Sequence, residues 1–147
     1  MRWVYTACIF ITSLMISCSD SATSEDQLTI LNYLDSRGLV AIDTGGVYVV
    51  IRSPGSSDRP KENSTIQLIY KGYYPDGQIF DKSPIDRNLS LKLSSAIAGL
   101  RYGLAKFGKN SSGTILIPAG LGYGSNPPLG VRKNSILIYD VEIIDFN

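Results

Sequence analysis

Histidine is absent from all 147 residues, and the only two cysteines, Cys8 and Cys18, both lie close to the N-terminus. Without an imidazole there is no Ser-His-Asp triad and no histidine general base, and most zinc sites lose their usual ligands. Charge of one sign is also missing. The 14 Lys and Arg residues face 13 Asp and Glu, so there is no basic footprint of the kind that neutralises nucleic-acid phosphates. No apolar run reaches the roughly 18 to 20 residues of a membrane-spanning helix, since the longest, Val4 to Ile16, has about 13. Gly120-Leu121-Gly122-Tyr123-Gly124 is glycine-rich, but it opens no βαβ unit and lacks the Lys-Ser/Thr of a phosphate-binding loop. Repeats and low-complexity tracts are missing too. What remains is a chain of 44% hydrophobic residues, enough for one domain and a short appendage.

The N-terminus reads as a targeting segment. Arg2 precedes the apolar run, which is too short to stay in a membrane and has the shape of a cleaved signal. Leu14-Met15-Ile16-Ser17-Cys18 resembles the lipobox of bacterial lipoproteins, in which the cysteine after the cut receives the lipid. The expectation is a signal peptide over 1–17 and lipidation at Cys18. An ordinary signal followed by a chance cysteine is the alternative, and it yields an untethered secreted protein. Cleavage removes Arg2 and leaves 13 charges of each sign. One cysteine then remains, so no disulfide can form within the chain and thiol catalysis is excluded. Several acyl chains make a firm anchor, because each buried methylene adds about 0.8 kcal/mol. Residues 18–24 read as a flexible polar tether. Ser19 after the lipidated position leans toward the outer membrane, facing the periplasm.

Residues 25–45 read as a helical extension. Ser24 can cap a helix whose first turn holds Glu25 and Asp26, with Leu28, Leu31, Leu34 and Tyr33 on one face and Gly38 as its stop. Either this helix packs on the domain as an accessory or it serves as a dimerisation arm. From residue 46 to 147 the pattern is that of the main domain. Val47 to Arg52 reads as a strand, and Thr65 to Phe80 as a hairpin turning at Pro75-Asp76-Gly77. Ser94 to Phe107 is the one further helix, with Ala96, Ile97, Leu100 and Leu104 on one face. Strands return at Gly113 to Pro118 and Ser135 to Phe146. The long Gly/Pro-rich loop Ala119 to Asn134 between them is of a length that usually carries function. This order predicts an α+β fold: an antiparallel sheet with a helix on one face. Carboxylate pairs such as Asp81 with Asp86, or Asp140 with Glu142, fit solvated or structural groups better than glycoside chemistry. Binding in an apolar pocket is the function this inventory suits.

Four motifs bear a family resemblance. Ile69-Tyr70-Lys71-Gly72-Tyr73 with Asp76-Gly77-Gln78-Ile79-Phe80-Asp81 is similar to the first hairpin of FKBP-type peptidyl-prolyl isomerases. Ala96-Ile97-Ala98-Gly99-Leu100 with Gly103-Leu104 resembles the family's Val-Ile-x-Gly-Trp-x-x-Gly. Ile117-Pro118 with Gly122-Tyr123-Gly124 resembles its Ile-Pro and Ala-Tyr-Gly, and Leu137 to Glu142 its Leu-x-Phe-Asp-Val-Glu. Together these span about residues 61 to 147 in the family's order.

The resemblance implies a curved antiparallel sheet wrapped around one short central helix. It implies an isomerase that acts on proline-containing polypeptides during the folding of exported proteins, with no metal and no cofactor, and with macrolide inhibitors among its ligands. Carried over by position, the site comprises Tyr70, Phe80, Asp81, Ile97, Leu100, Tyr123 and Tyr139, with Arg87, Ala96 and Val131 as further substrate contacts. The backbone N–H of Ile97 and the hydroxyl of Tyr123 would receive carbonyls of the bound peptide, and Asp81 would hold Tyr70 and Arg87. The sequence departs from the family at three points. Leu100 stands where the family has Trp, and Val131-Arg132-Lys133 where it commonly has Ile-Pro-Pro, which brings two charges toward the rim. The stretch Leu89 to Ser95 is shorter than in some members and leaves open whether Leu91 or Leu93 replaces a lining Phe. The rival reading is an FKBP-fold module with weak catalysis that docks a protein partner at the cell envelope.

Overall fold

The computed structural model describes residues 20–84 and 87–147; Cys8, Cys18 and the signal-like segment lie outside them. Seven strands form one sheet: β1 (Ile42–Thr44), β2 (Val47–Ser53), β3 (Thr65–Tyr73), β4 (Ile79–Lys82), β5 (Leu89–Lys92), β6 (Ser111–Ile117) and β7 (Leu137–Phe146). Their order is β1-β2-β6-β7-β3-β4, and β5 also pairs with β3. Every pairing is antiparallel. Among the described residues the α-helices are α1 (Asp20–Ser36) and α2 (Ala98–Leu104). The α+β class and the N-terminal helix therefore stand as the sequence predicts.

Alternation along the strands builds two cores on opposite faces of the sheet. Val47, Val49, Ile115, Ile117, Leu137, Tyr139 and Val141 point to the face that holds Leu104 of α2. Tyr48, Val50, Leu116, Ile136 and Ile138 point the other way and meet Ile30 and Leu34 of α1. Strands covered on both faces lose their polar side, which explains the apolar run Val47 to Ile51.

Of the face of α1 expected from sequence, Leu34 and Tyr33 pack inward, but Leu28 and Leu31 do not. Ile30 and Leu34 are buried, while Leu28 and Leu31 are 60% and 45% exposed. Both stripes satisfy helical spacing, and the one that meets the apolar sheet is buried, at about 1.5 to 3 kcal/mol per side chain. The helix also starts before Ser24: residues 20–24, read as tether, contain no Gly or Pro to stop it and belong to α1.

β1 falls inside the segment read as helical extension. Thr44 pairs with Val47 across Gly45-Gly46, whose φ angles are +65° and +85°. Positive φ at both central residues is what a two-residue hairpin turn demands, and glycine supplies it without strain. At the next hairpin Gly77 takes φ +88°, as the Pro75-Asp76-Gly77 turn predicts.

The helix expected over Ser94 to Phe107 is shorter and broken. A 3-10 turn covers Leu93–Ser95, Ala96 and Ile97 are extended, and α2 proper starts at Ala98. Leu104 therefore packs into the core while Ala96, Ile97 and Leu100 face a separate cavity.

Beyond α1, the outer face of the sheet carries a polar cluster around Asp140. Its carboxylate accepts from Arg52 at 2.7 Å and from the Thr114 hydroxyl at 2.8 Å, with Lys71 at 3.4 Å. Burial pushes the Asp140 pKa up, but the Thr114 hydroxyl, Arg52 and Lys71 together outweigh it and hold the carboxyl below its usual value. One carboxylate thus ties β2, β3, β6 and β7 together.

Candidate functional site

Between the sheet and α2 lies a cavity of about 240 Å³. Leu68 and Tyr70 of β3, Tyr139 and Val141 of β7, and Leu89 and Leu91 of β5 supply its walls. The connection into α2 adds Ser95, Ala96 and Ile97, α2 itself adds Leu100, and Asp81 and Tyr123 complete the lining. Seven residues singled out from sequence are thus brought together: Tyr70, Asp81, Ala96, Ile97, Leu100, Tyr123 and Tyr139.

The Tyr70 hydroxyl donates to Asp81 Oδ2 at 2.8 Å, which fixes the polar edge. Burial, then the bond to Asp81 and its charge, push the Tyr70 phenol above its ordinary pKa. Burial also raises Tyr139, with the Tyr123, Asp81 and Tyr70 side chains adding to it. Both phenols therefore stay neutral around neutral pH. Ile97 occupies the N-cap position of α2 with φ −58° and ψ 153°. Its N–H lies ahead of the helical ladder, where backbone donors have no intrahelical acceptor, and it meets no acceptor among the described residues.

Three expected members lie outside the lining. Phe80 stands edge-on to Tyr139 with ring centroids 5.5 Å apart, and 4.9 Å from the Tyr74 ring. Gly72 makes this packing possible, since a Cβ there would come within 2.8 Å of Phe80 and 3.0 Å of Tyr139. Phe80 thus packs directly on Tyr139, a residue of the cavity wall. Val131 packs against the core without reaching the cavity. Arg87 is exposed, lies outside the cavity lining, and makes no ion pair with Asp81 among the described residues.

Of the two charges expected at the rim, Arg132 is engaged by the turn between β3 and β4. Arg132 pairs with Asp76 at 2.6 Å, donates to Gln78, and lies 4.3 Å from the centre of the Tyr74 ring. Its backbone N–H donates to the Tyr74 hydroxyl at 2.7 Å. Arg132 thus clamps the long loop onto the turn between β3 and β4. Among the described residues no three His, Cys, Asp or Glu side chains group as metal ligands, and no helix is long and apolar enough to cross a membrane.

Residues 56–144 match the family model for FKBP-type peptidyl-prolyl cis-trans isomerase. The chain belongs to this family. FKBP-type peptidyl-prolyl cis-trans isomerase FkpA of Escherichia coli (strain K12) is 34% identical over 77% of this chain and 42% of its own length. The protein of the same name from Buchnera aphidicola subsp. Acyrthosiphon pisum is 31% identical over 82% of this chain and 50% of its own. The crystal structure of FkpA from Escherichia coli superposes with a TM-score of 0.75 at 28% identity, covering 84% of this chain and 58% of that one. The chain thus spans about half the length of these curated FKBP relatives.

Leu68, Leu89, Ser95 and Val141 were not singled out as site residues, and Leu91 was weighed only against Leu93 as the replacement for a lining Phe. Leu68 and Val141 are two positions from Tyr70 and Tyr139 on the same strands, so the period of two that faces those tyrosines inward also faces these. Leu89 and Leu91 alternate with Ser90 and Lys92, and Leu91 lines the FKBP cavity while Leu93 is buried in the core. Ser95 carries no sequence signal.

Proposed function

We propose that this chain is a peptidyl-prolyl cis-trans isomerase acting on X-Pro bonds of exported polypeptides. The observation that carries the reading is the cavity of about 240 Å³, walled by aliphatic and tyrosyl side chains, with the Ile97 N–H and Tyr123 beside it. Rotation about an X-Pro bond is opposed by a barrier of about 18 to 20 kcal/mol because the planar amide has partial double-bond character. Water stabilises that planar, more polar ground state. Leu89, Leu91, Ile97, Leu100 and Tyr139 hold the proline ring and strip water from the amide, which favours the twisted transition state. The Ile97 N–H and Tyr123 hydroxyl receive substrate carbonyls, and Asp81 orients Tyr70. No covalent step is involved, and each tenfold in rate requires about 1.4 kcal/mol.

The test is a protease-coupled assay on tetrapeptides with an apolar residue before proline. The purified protein should exceed the uncatalysed rate, a macrolide should compete, and Tyr123→Phe should lower kcat/KM by about tenfold, one hydrogen bond's worth. A folded protein at the background rate overturns the reading in favour of the docking module.

The lipoprotein form is part of the same reading. Residues 1–17 direct export and Cys18 carries the lipid, a short step before α1, so the isomerase acts at the bacterial envelope on the periplasmic side of the outer membrane. The protein should then fractionate with outer membranes and Cys18→Ala should release it; a Cys18→Ala protein that stays with membranes refutes the anchor.

A further inference from the structure

Asp26, Ile30 and Leu34 succeed one another at intervals of four on α1, so all three share the stripe turned toward the sheet. Ile30 and Leu34 are buried there, and Gln27 Nε2 donates to the Tyr48 hydroxyl at 2.7 Å. These contacts fix the rotation of the helix. Its next inward residue, Asp26, then meets the chain just after β6. The Ala119 N–H donates to Asp26 Oδ2 at 2.8 Å across 93 positions of sequence.

Ala119 governs the segment that carries Tyr123. Its carbonyl accepts from the N–H of Gly122 at 3.1 Å and of Gly124 at 3.0 Å, the two residues that flank Tyr123. Ala119 is only 8% exposed, and Pro118 before it has no N–H to offer. A buried Ala119 N–H without Asp26 would be an unsatisfied donor. The path therefore runs from α1 through one carboxylate, one alanine peptide and two glycine amides to the tyrosine in the cavity.

We infer that Asp26 is a positioning residue for Tyr123, so that the N-terminal helix sets the geometry of the isomerase pocket from the opposite face of the sheet. The inference rests on the proposed isomerase reading for its kinetic consequence and on the structure alone for its mechanical one. Asp26→Ala in the full chain removes the acceptor and leaves Ile30, Leu34 and Gln27 to hold the helix. Asp26→Asn keeps an acceptor oxygen and serves as the rescue.

The experiment combines kinetics with amide exchange. Asp26→Ala should lower kcat/KM about fivefold and Asp26→Asn by less than about twofold, and Asp26→Ala should add less than about twofold in a Tyr123→Phe background, because coupled residues are not additive. Exchange of the Ala119 and Gly124 amides should rise about tenfold in Asp26→Ala while amides in the middle of β7 keep their protection. Unchanged exchange at Ala119 and Gly124 overturns the inference, as does an undiminished Asp26→Ala loss in the Tyr123→Phe background. If the wild-type protein proves inactive, the isomerase reading fails, and the exchange measurement alone still decides whether Asp26 positions the loop.

Discussion

Gly99→Ala is expected to destabilise the fold by about 2 to 3 kcal/mol, through overpacking at a helix–sheet contact that leaves no space. A Cβ at Gly99 would lie 2.2 Å from Ile117 Cγ2 and 2.9 Å from both Cγ1 and Cδ1 of the same side chain. Gly103, one turn later, is in the same position against Ile115, with Cγ2 at 2.5 Å. The two glycines face two inward residues of β6, so the axis of α2 sits against the strand itself. Ile117 and Ile115 are fully buried and β-branched, with stiff χ1 angles, so neither can swing clear. Alanine is the better helix former by about 1 kcal/mol, which is too little to offset the clash. Relief requires α2 to lift, and lifting α2 moves Leu100 and the Ile97 N–H out of register with the cavity. Urea denaturation should show a lower midpoint at unchanged slope. Gly120→Ala is the control: nothing lies within 4 Å of its Cβ, and its stability should change by less than about 0.5 kcal/mol. A Gly99→Ala protein as stable as wild type would mean that the contact is looser than these distances require.

That contact shows which parts of the molecule were legible in the sequence. Gly99 and Gly103 stand out in the motif, yet the motif alone does not say that a strand lies against them. Strands β2, β3, β6 and β7 could be read because alternation and turn chemistry are local, whereas Tyr70 and Tyr139 were assigned to the site only through the family resemblance of their motifs. Local patterns do not decide between two stripes of one helix, and α1 turned Ile30 inward beside the expected Leu34, leaving Leu28 and Leu31 out, because an apolar sheet face was there to receive them. The spacing of Ala96, Ile97, Leu100 and Leu104 fits one continuous helix, but the chain takes an extended step at Ala96 and Ile97 that leaves the Ile97 N–H ahead of the helical ladder. β1 had a local signal in Gly45-Gly46. Arg132 had none, since its partners Asp76 and Gln78 are more than fifty positions away.

Phe80 is where the difference between lining and supporting a site becomes measurable. Its ring stands edge-on to Tyr139 at 88° and is also packed against Tyr74, while Tyr139 is the wall that touches the cavity. Phe80→Ala should cost about 2 to 3 kcal/mol of stability, the lower end for a large-to-small change because Phe80 is only half-buried. The void it leaves adjoins the Tyr139 ring, which can then tilt out of its place in the cavity wall. At a temperature where the variant is fully folded, kcat/KM should fall about thirtyfold, equivalent to about 2 kcal/mol. Phe80→Leu fills most of the void and should recover most of the activity, even though it removes the aromatic contact. That recovery separates a support from a contact surface: a ring that touched substrate through its aromatic edge would not be replaced by an aliphatic side chain. Full activity in Phe80→Ala would mean that Tyr139 is held by β7 and its strand neighbours alone, and the placement of Tyr139 would then depend on the pairing of Gly72 with Tyr139 across β3 and β7.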